Sequence, residues 1–318
     1  MTIKKKISVV CGAFNEEANV QELYERIVQV FENLDYDFEI IVIDNASTDR
    51  TVERLRGLAA NDKRLKVIIN ATNFGHVRSP YHALLQAQGD AAVFMASDLQ
   101  DPPELIPDYL EKWESGSKVI LAVRTRSSEN WVMKGVRGLY YKLLGLVSNE
   151  SMVPNATGAG LFDQRVINIL RALEDPLPYF RGLVTQLGFK VDTVDFHQPM
   201  RKAGVTKNNF ATLFDLALMG FVNYSKAPLR LLTVAGFITS LVSVGIAITY
   251  FVVKLLYWDS FDLGLAPLVI GVFFFGATQI FALGLIGELL VSVQQRVRKM
   301  PLVIEAERIN FDDNKLTN

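Results

Sequence analysis

No charged residue interrupts Leu231 to Val253, and none interrupts Leu263 to Gly287. As a helix rising about 1.5 Å per residue, each stretch reaches at least about 34 Å, enough to cross the roughly 30 Å hydrocarbon core of a bilayer. Neither shows a polar periodicity, and the two are neighbours. This predicts a pair of membrane spans; the rival is a pair of buried core helices. Lys226 and Arg230 precede the first stretch, Arg296, Arg298 and Lys299 follow the second, and the connector holds Lys254 against Asp259 and Asp262. Positive charge on the side shared by both ends marks that side as cytoplasmic. The expected arrangement is a multi-pass protein of the inner (plasma) membrane with its N-terminal domain on the cytoplasmic face. The short apolar run after Met1 to Lys6 is not a signal peptide, which agrees. Ahead of the spans, Asn208 to Tyr224 carries a broad apolar stripe flanked by Lys207 and Lys226. The stripe suits a helix lying on the bilayer, and equally a helix packed on a core.

Before the spans, apolar runs alternate with amphipathic stretches. Strands are expected at 7–12, 38–43, 65–69, 91–95 and 118–122, and helices near 18–34, 49–60, 76–88, 104–116 and 131–147. That alternation predicts an α/β domain with a doubly wound, mostly parallel sheet. The turn after the first strand reads Cys11-Gly12-Ala13-Phe14-Asn15-Glu16-Glu17, without the glycine spacing of a dinucleotide fold, and no Walker loop occurs. With 33 basic and 34 acidic residues the chain offers no support for a nucleic-acid partner. One cysteine, Cys11, makes neither an internal disulfide nor a cysteine-based zinc site. His76, His82 and His197 lack metal-pair spacing.

Chemistry concentrates in Ser97-Asp98-Leu99-Gln100-Asp101-Pro102-Pro103-Glu104, between an expected strand and an expected helix. Carboxylates and an amide oxygen leaving the carboxyl end of a strand lie where open α/β sheets bind ligands. Hard oxygens there suit Mg2+ or Mn2+ holding a phosphate, while an acidic turn capping a helix explains them too. Asp44, Asn45, Ser47 and Asp49 follow the second strand in the same way, and Ser47 or Asp49 can cap the next helix. Asn155 to Gly160 reads as a flexible loop of small residues. Arg201 to Lys207 gathers three cations, a threonine and a glycine, either a phosphate clamp or a solvated basic loop.

Taken together, Phe14-Asn15-Glu16-Glu17, Asp44 to Thr51, Asn73-Phe74-Gly75, Asp98 to Pro103, Arg201 to Lys207 and the two terminal stretches resemble the family 2 glycosyltransferases of the GT-A fold. The chain looks closest to their membrane-anchored polyprenyl-phosphate branch, similar to dolichyl-phosphate mannose synthases and undecaprenyl-phosphate glucosyltransferases, from Ile7 to about Pro301. The resemblance implies an inverting transfer of a sugar from a nucleotide-sugar, expected to be UDP-linked, to a polyprenyl phosphate. It places Phe14, Asn15, Glu16, Asp44, Asn45 and Thr206 against the donor. Asp98 and Gln100 become the metal ligands, and Asp98, Arg124, Arg126, Arg201 and Lys207 the catalytic set. It divides the chain into a GT-A domain over 1–206, an interfacial helix over 207–228, a transmembrane hairpin over 229–295 and a cytoplasmic tail over 296–318. It also permits a homo-oligomer, as do Gly271, Gly276, Gly284 and Gly287 in the second span.

The implied chemistry is self-consistent. Charge builds on the leaving diphosphate, where a divalent cation acts as a Lewis acid. The acceptor phosphomonoester has a second pKa of about 6, so it needs alignment more than a general base. Three departures lighten the site in carboxylate: Ala96 stands where the family pattern has aspartate, Gly158-Ala159-Gly160 lacks a further aspartate and the arginine two places on, and a VDDGS-like segment reads Ile43-Asp44-Asn45-Ala46-Ser47. They keep a second expectation open, a catalytically weakened protein that binds a nucleotide-sugar or a partner.

Overall fold

The computed structural model describes residues 4–125, 153, 156–175, 178, 180–199, 265–297 and 300–311, with short pieces between 236 and 257. Contacts divide the chain into two units, one carrying the sheet and the other holding residues 210–297.

In the first unit, β1 (Lys6–Ala13), β2 (Asp37–Asp44), β3 (Leu65–Asn70), β4 (Ala91–Ala96) and β5 (Val119–Arg124) fall where the apolar runs predict them. Their residues bury both faces, as strands covered by helices on each side must. Ile7, Val9, Ile40 and Val42 face one layer with α1 (Val20–Glu32), α2 (Thr51–Asn61) and α4 (Ile106–Glu114). Val10, Ile41 and Ile43 face the other, with α3 (Gly75–Leu85), α5 (Gln164–Leu173) and α6 (Phe180–Gln186). The helix expected over 104–116 begins as a 3-10 turn at Pro103–Leu105, because the two prolines fix the entry without donating hydrogen bonds.

The sheet has eight strands in the order β7-β5-β6-β4-β1-β2-β3-β8. β1, β2, β3 and β4 are parallel, whereas β6 (Ala156–Asp163) runs antiparallel between β4 and β5, so the sheet is mixed. This corrects the expected loop at 155–160: from Ala156 onward the small residues form a strand. Their size is what admits it. A Cβ on Gly160 would lie 2.0 Å from the Ile120 carbonyl oxygen. Gly160→Ala is therefore expected to destabilise the sheet by about 1–3 kcal/mol, read as a lower thermal midpoint of the full chain in detergent.

β7 (Val191–Phe196) pairs parallel with β5 at one edge. At the other, β8 (Glu305–Ile309) pairs antiparallel with β3. The segment expected as a plain tail over 296–318 thus contributes a strand to the sheet. The expected helix at 131–147, the stripe at Asn208 to Tyr224 and the basic loop at Arg201 to Lys207 lie outside the described residues.

In the second unit, α7 (Leu265–Val297) has 33 residues, about 50 Å of helix. Among the described residues it is the one helix long and apolar enough to cross a membrane, with its most apolar window at Phe274–Val291. Leu268, Val272, Phe274, Ile280, Leu283 and Leu290 are exposed on it. A helix apolar around its circumference needs lipid or protein to cover it. The first expected span, Leu231 to Val253, is described only in short helical pieces.

Candidate functional site

The strand order reverses at β1 and β4, since β2 and β3 extend to one side of β1 and β4 lies on the other. Ligands of open α/β sheets bind beyond the carboxyl ends of the strands at such a point. Three connections meet at this edge, and each contains a residue other than glycine in the left-handed region: Asn15 after β1 (φ 57°), Ala46 after β2 (φ 60°) and Leu99 after β4 (φ 60°). Each such residue costs about 1–2 kcal/mol, and strain of this kind gathers at functional sites.

The first two connections are laced together. The Asn15 backbone N–H donates to Ser47 Oγ (2.8 Å), and Asn15 Oδ1 accepts from the Thr48 N–H (2.8 Å). The Glu16 N–H donates to Thr51 Oγ1 (2.9 Å), and Glu17 Oε2 accepts from the Arg50 N–H (3.0 Å). Glu16 is buried and its Oε2 accepts from Asn19 Nδ2. Asp44 is fully buried, and its carboxylate accepts from the Ser47 N–H (2.9 Å) and hydroxyl. Burial raises the Asp44 pKa and the Ser47 hydrogen bonds oppose that rise. Asn45 grips the next connection: its Nδ2 donates to Asn73 Oδ1 (2.8 Å), and its Oδ1 accepts from the Phe74 N–H (2.9 Å) and from Asn70 Nδ2 (3.1 Å). Asn15 and Asn45 are thus committed to holding loops, which sets the shape of the edge. Phe14 lies in the first of them, between Ala13 and Asn15.

After β4, the Ser97 hydroxyl donates to the Gly12 carbonyl (2.7 Å), which ties this turn to β1. Asp98 and Gln100 are half-buried, and the Gln100 N–H donates to Asp98 Oδ1 (3.1 Å). Asp101 is buried, with Oδ2 facing the Ala96 N–H at 3.4 Å. Burial pushes its carboxyl up to about 6, the Asp98 charge adds to the rise, and the Ala96 N–H and the Arg124 guanidinium oppose it. Arg124, at the end of β5, therefore sits within electrostatic reach of the acidic turn. Cys11 beneath is buried, and desolvation pushes its thiol up to about 12, which excludes it as a nucleophile near neutral pH.

Among the described residues three buried side-chain atoms have no hydrogen-bond partner: Asn70 Oδ1, Arg78 Nε and Asp101 Oδ1. Asn70 closes β3, Arg78 lies in α3, and Asp101 follows β4. Buried polar atoms are nearly always paired, so the two orphans flanking the β3–α3 connection, Asn70 Oδ1 and Arg78 Nε, make that connection a candidate ligand contact. Sequence reasoning passed over Asn70 and Arg78. The signal available was a polar residue closing a strand and an arginine beside Asn73-Phe74-Gly75.

Residues 8–169 match the Glycosyl transferase family 2 description. A glycosyltransferase of Synechocystis sp. is 32% identical over 308 residues, covering 96% of each chain. The chain belongs to glycosyl transferase family 2. A prophage-derived bactoprenol glucosyl transferase of Shigella flexneri is 29% identical over 300 residues, 94% of this chain and 97% of that one. Among solved structures, glucosyl-3-phosphoglycerate synthase of Mycobacterium tuberculosis, crystallised with Mn2+ and UDP-glucose, covers 69% of this chain and 77% of its own at 19% identity, with a TM-score of 0.43.

No cluster of three histidine, cysteine, aspartate or glutamate side chains suited to a metal occurs among the described residues, so an all-protein cage is absent there. One carboxylate and one amide oxygen on a single turn match a Mg2+ or Mn2+ site whose remaining ligands are phosphate and water. Arg126, Arg201, Thr206 and Lys207 lie outside the described residues.

Proposed function

We propose that the chain transfers a sugar from a nucleotide-sugar, UDP-linked, to a polyprenyl phosphate at the cytoplasmic face of the membrane, with inversion at the anomeric carbon. The observation that carries this reading is the Ser97–Asp101 turn at the β1/β4 reversal, with Asp98 and Gln100 on it and Arg124 at the end of β5 within electrostatic reach of Asp101. Full-length similarity to a bactoprenol glucosyl transferase supports the acceptor class.

Asp98 and Gln100 would hold a Mg2+ or Mn2+ ion, which supplies Lewis-acid charge at the diphosphate as the glycosidic bond breaks. Arg124, Arg126, Arg201 and Lys207 add positive charge and charge-assisted hydrogen bonds to the same leaving group. Phe14, Asn15, Glu16, Asp44, Asn45 and Thr206 shape or contact the donor pocket. The acceptor phosphate arrives ionised, so the chain's task is alignment. Residues 1–206, joined in the sheet by β8 from the 296–318 segment, form the transferase domain, 207–228 an interfacial helix and 229–295 two spans, and the spans offer a surface for a homo-oligomer. Anchoring restricts the search for a lipid acceptor to the membrane plane.

The test is a panel of labelled nucleotide-sugars with polyprenyl phosphate and Mg2+ or Mn2+, using protein in native membranes. One donor should give a sugar-phosphate lipid detectable by mass spectrometry, and chelation by EDTA should abolish it. Ala96, in place of an expected aspartate, favours a second reading, a nucleotide-sugar-binding protein without turnover. Donor binding without lipid product across the whole panel would select it.

A further inference from the structure

The described chain resumes at Met300, directly beyond the end of α7 at Val297, and runs onto the β3 edge of the sheet. Pro301 O accepts from Arg78 Nη2 (2.7 Å), and Ile304 O accepts from the Ala71 N–H (2.9 Å). Val303 is buried, and Leu302 packs against the apolar layer that contains Tyr81 and Leu84. Further on, Glu305 Oε1 meets His82 Nε2 (2.6 Å) and accepts from Arg308 Nη2 (2.6 Å), and Asn310 Nδ2 donates to the carbonyls of Ala59 (2.7 Å) and Leu65 (2.8 Å). This is a fixed strap, held by the Arg78 and His82 side chains of α3, by the Ala71 backbone N–H, and through Asn310 by backbone carbonyls of α2 and β3.

What the strap holds is the connection from β3 to α3. The β3–β8 register shifts between Ile69 and Asn70, and such bulges re-aim side chains. Asn70 directs its amide to Asn45 Oδ1 and Ser79 Oγ (2.9 Å). Arg78 stacks over the Phe74 ring at 5.6 Å. The connection is therefore clamped from one side by Asn45 and from the other by Pro301 and Ile304. The orphaned Asn70 Oδ1 and Arg78 Nε lie on this wall.

We propose that residues 300–310 position the donor pocket: the strap sets the Asn70–Arg78 wall, with Arg78 as the positioning residue that joins the two, so nucleotide affinity depends on a segment continuous with α7. This rests on the nucleotide-binding reading above. Nothing in it requires the strap to touch substrate.

The experiment compares full-length wild type, Arg78→Ala, Arg78→Lys and Glu305→Ala in nanodiscs, measuring UDP and GDP binding with Mn2+ by calorimetry and donor KM and kcat. Glu305 contacts Arg308 and His82 of α3, away from the Asn45 clamp, so its effect on nucleotide is indirect, through the strap and the helix it holds. Both alanine variants should weaken nucleotide binding and raise donor KM about five- to tenfold with kcat within about twofold, and Arg78→Lys should recover part of the loss. Wild-type affinity in folded Glu305→Ala overturns the proposal, as does a loss confined to kcat. Should Glu305→Ala fail to fold, Glu305→Gln takes its place under the same criterion. A wild type that binds neither nucleotide overturns the donor reading itself.

Discussion

Asp98→Asn is expected to lower kcat for lipid-linked sugar formation by about 10^3 while leaving the fold and thermal midpoint unchanged. The side chain is half-buried and accepts from the Gln100 N–H (3.1 Å), a bond that an asparagine oxygen can also accept. What asparagine cannot supply is negative charge opposite a cation at the leaving diphosphate. Losing one preorganised electrostatic group of this kind typically removes about 10^2–10^3 in rate. Steady-state kinetics at saturating donor, with Mn2+ affinity followed by electron paramagnetic resonance, checks both halves. The Mn2+ Kd should weaken in parallel with kcat. A variant with full turnover removes Asp98 from the mechanism. Asp101→Asn is a useful companion, because it alters the neighbouring carboxylate while leaving the Asp98 charge in place.

The largest stability effect is expected at the opposite end of the sheet. Glu39 is 1% exposed in β2, and its carboxylate is held by Lys6 (2.7 Å), Lys66 (2.9 Å) and the Ser8 hydroxyl (2.7 Å). Burial would raise its pKa, but these three partners outweigh burial and bring it down to about 2. Glu39→Ala leaves Lys66, itself mostly buried, without its counter-charge. Removing one member of a buried ion pair costs about 3–5 kcal/mol, and the partial exposure of Lys6 places this case near the lower end. For a domain of this size that is a fall of roughly 10 °C in thermal midpoint, measured on the full chain in detergent. The pH dependence has a definite sign. The folded pKa lies below the ordinary 4.5, so the cluster's contribution is complete above about pH 4.5 and is lost as pH falls toward 2. Glu39→Gln should flatten the stability profile across that window.

The first five strands and four helices were legible because parallel strands buried on both faces leave continuous apolar runs, such as Ile40 to Ile43, between amphipathic helices. β6 was not, since Ala156-Thr157-Gly158-Ala159-Gly160 is chosen for close backbone approach and carries no β-branched run to announce it. β8 was missed for another reason: Glu305-Ala306-Glu307-Arg308-Ile309 is an edge strand, and its charged residues pair with His82 and Arg56 rather than with a core. At the site, the acidic turn after β4 was readable from residue type and place. The roles of Asn15 and Asn45 were not, because a side chain that staples two loops looks in sequence like one that greets a ligand. Asn70 and Arg78 acquire meaning only when the bulge and the strap bring them to the same wall.

Cys11 gives the chain a practical property. It is the single sulfhydryl, sealed inside β1 and poorly ionised at working pH. A cysteine introduced on the surface becomes the one group that maleimide or spin-label reagents modify. Pairs of such labels, one on the strap and one beside Asn73, turn distance changes during catalysis into a spectroscopic signal, with no background substitution needed first.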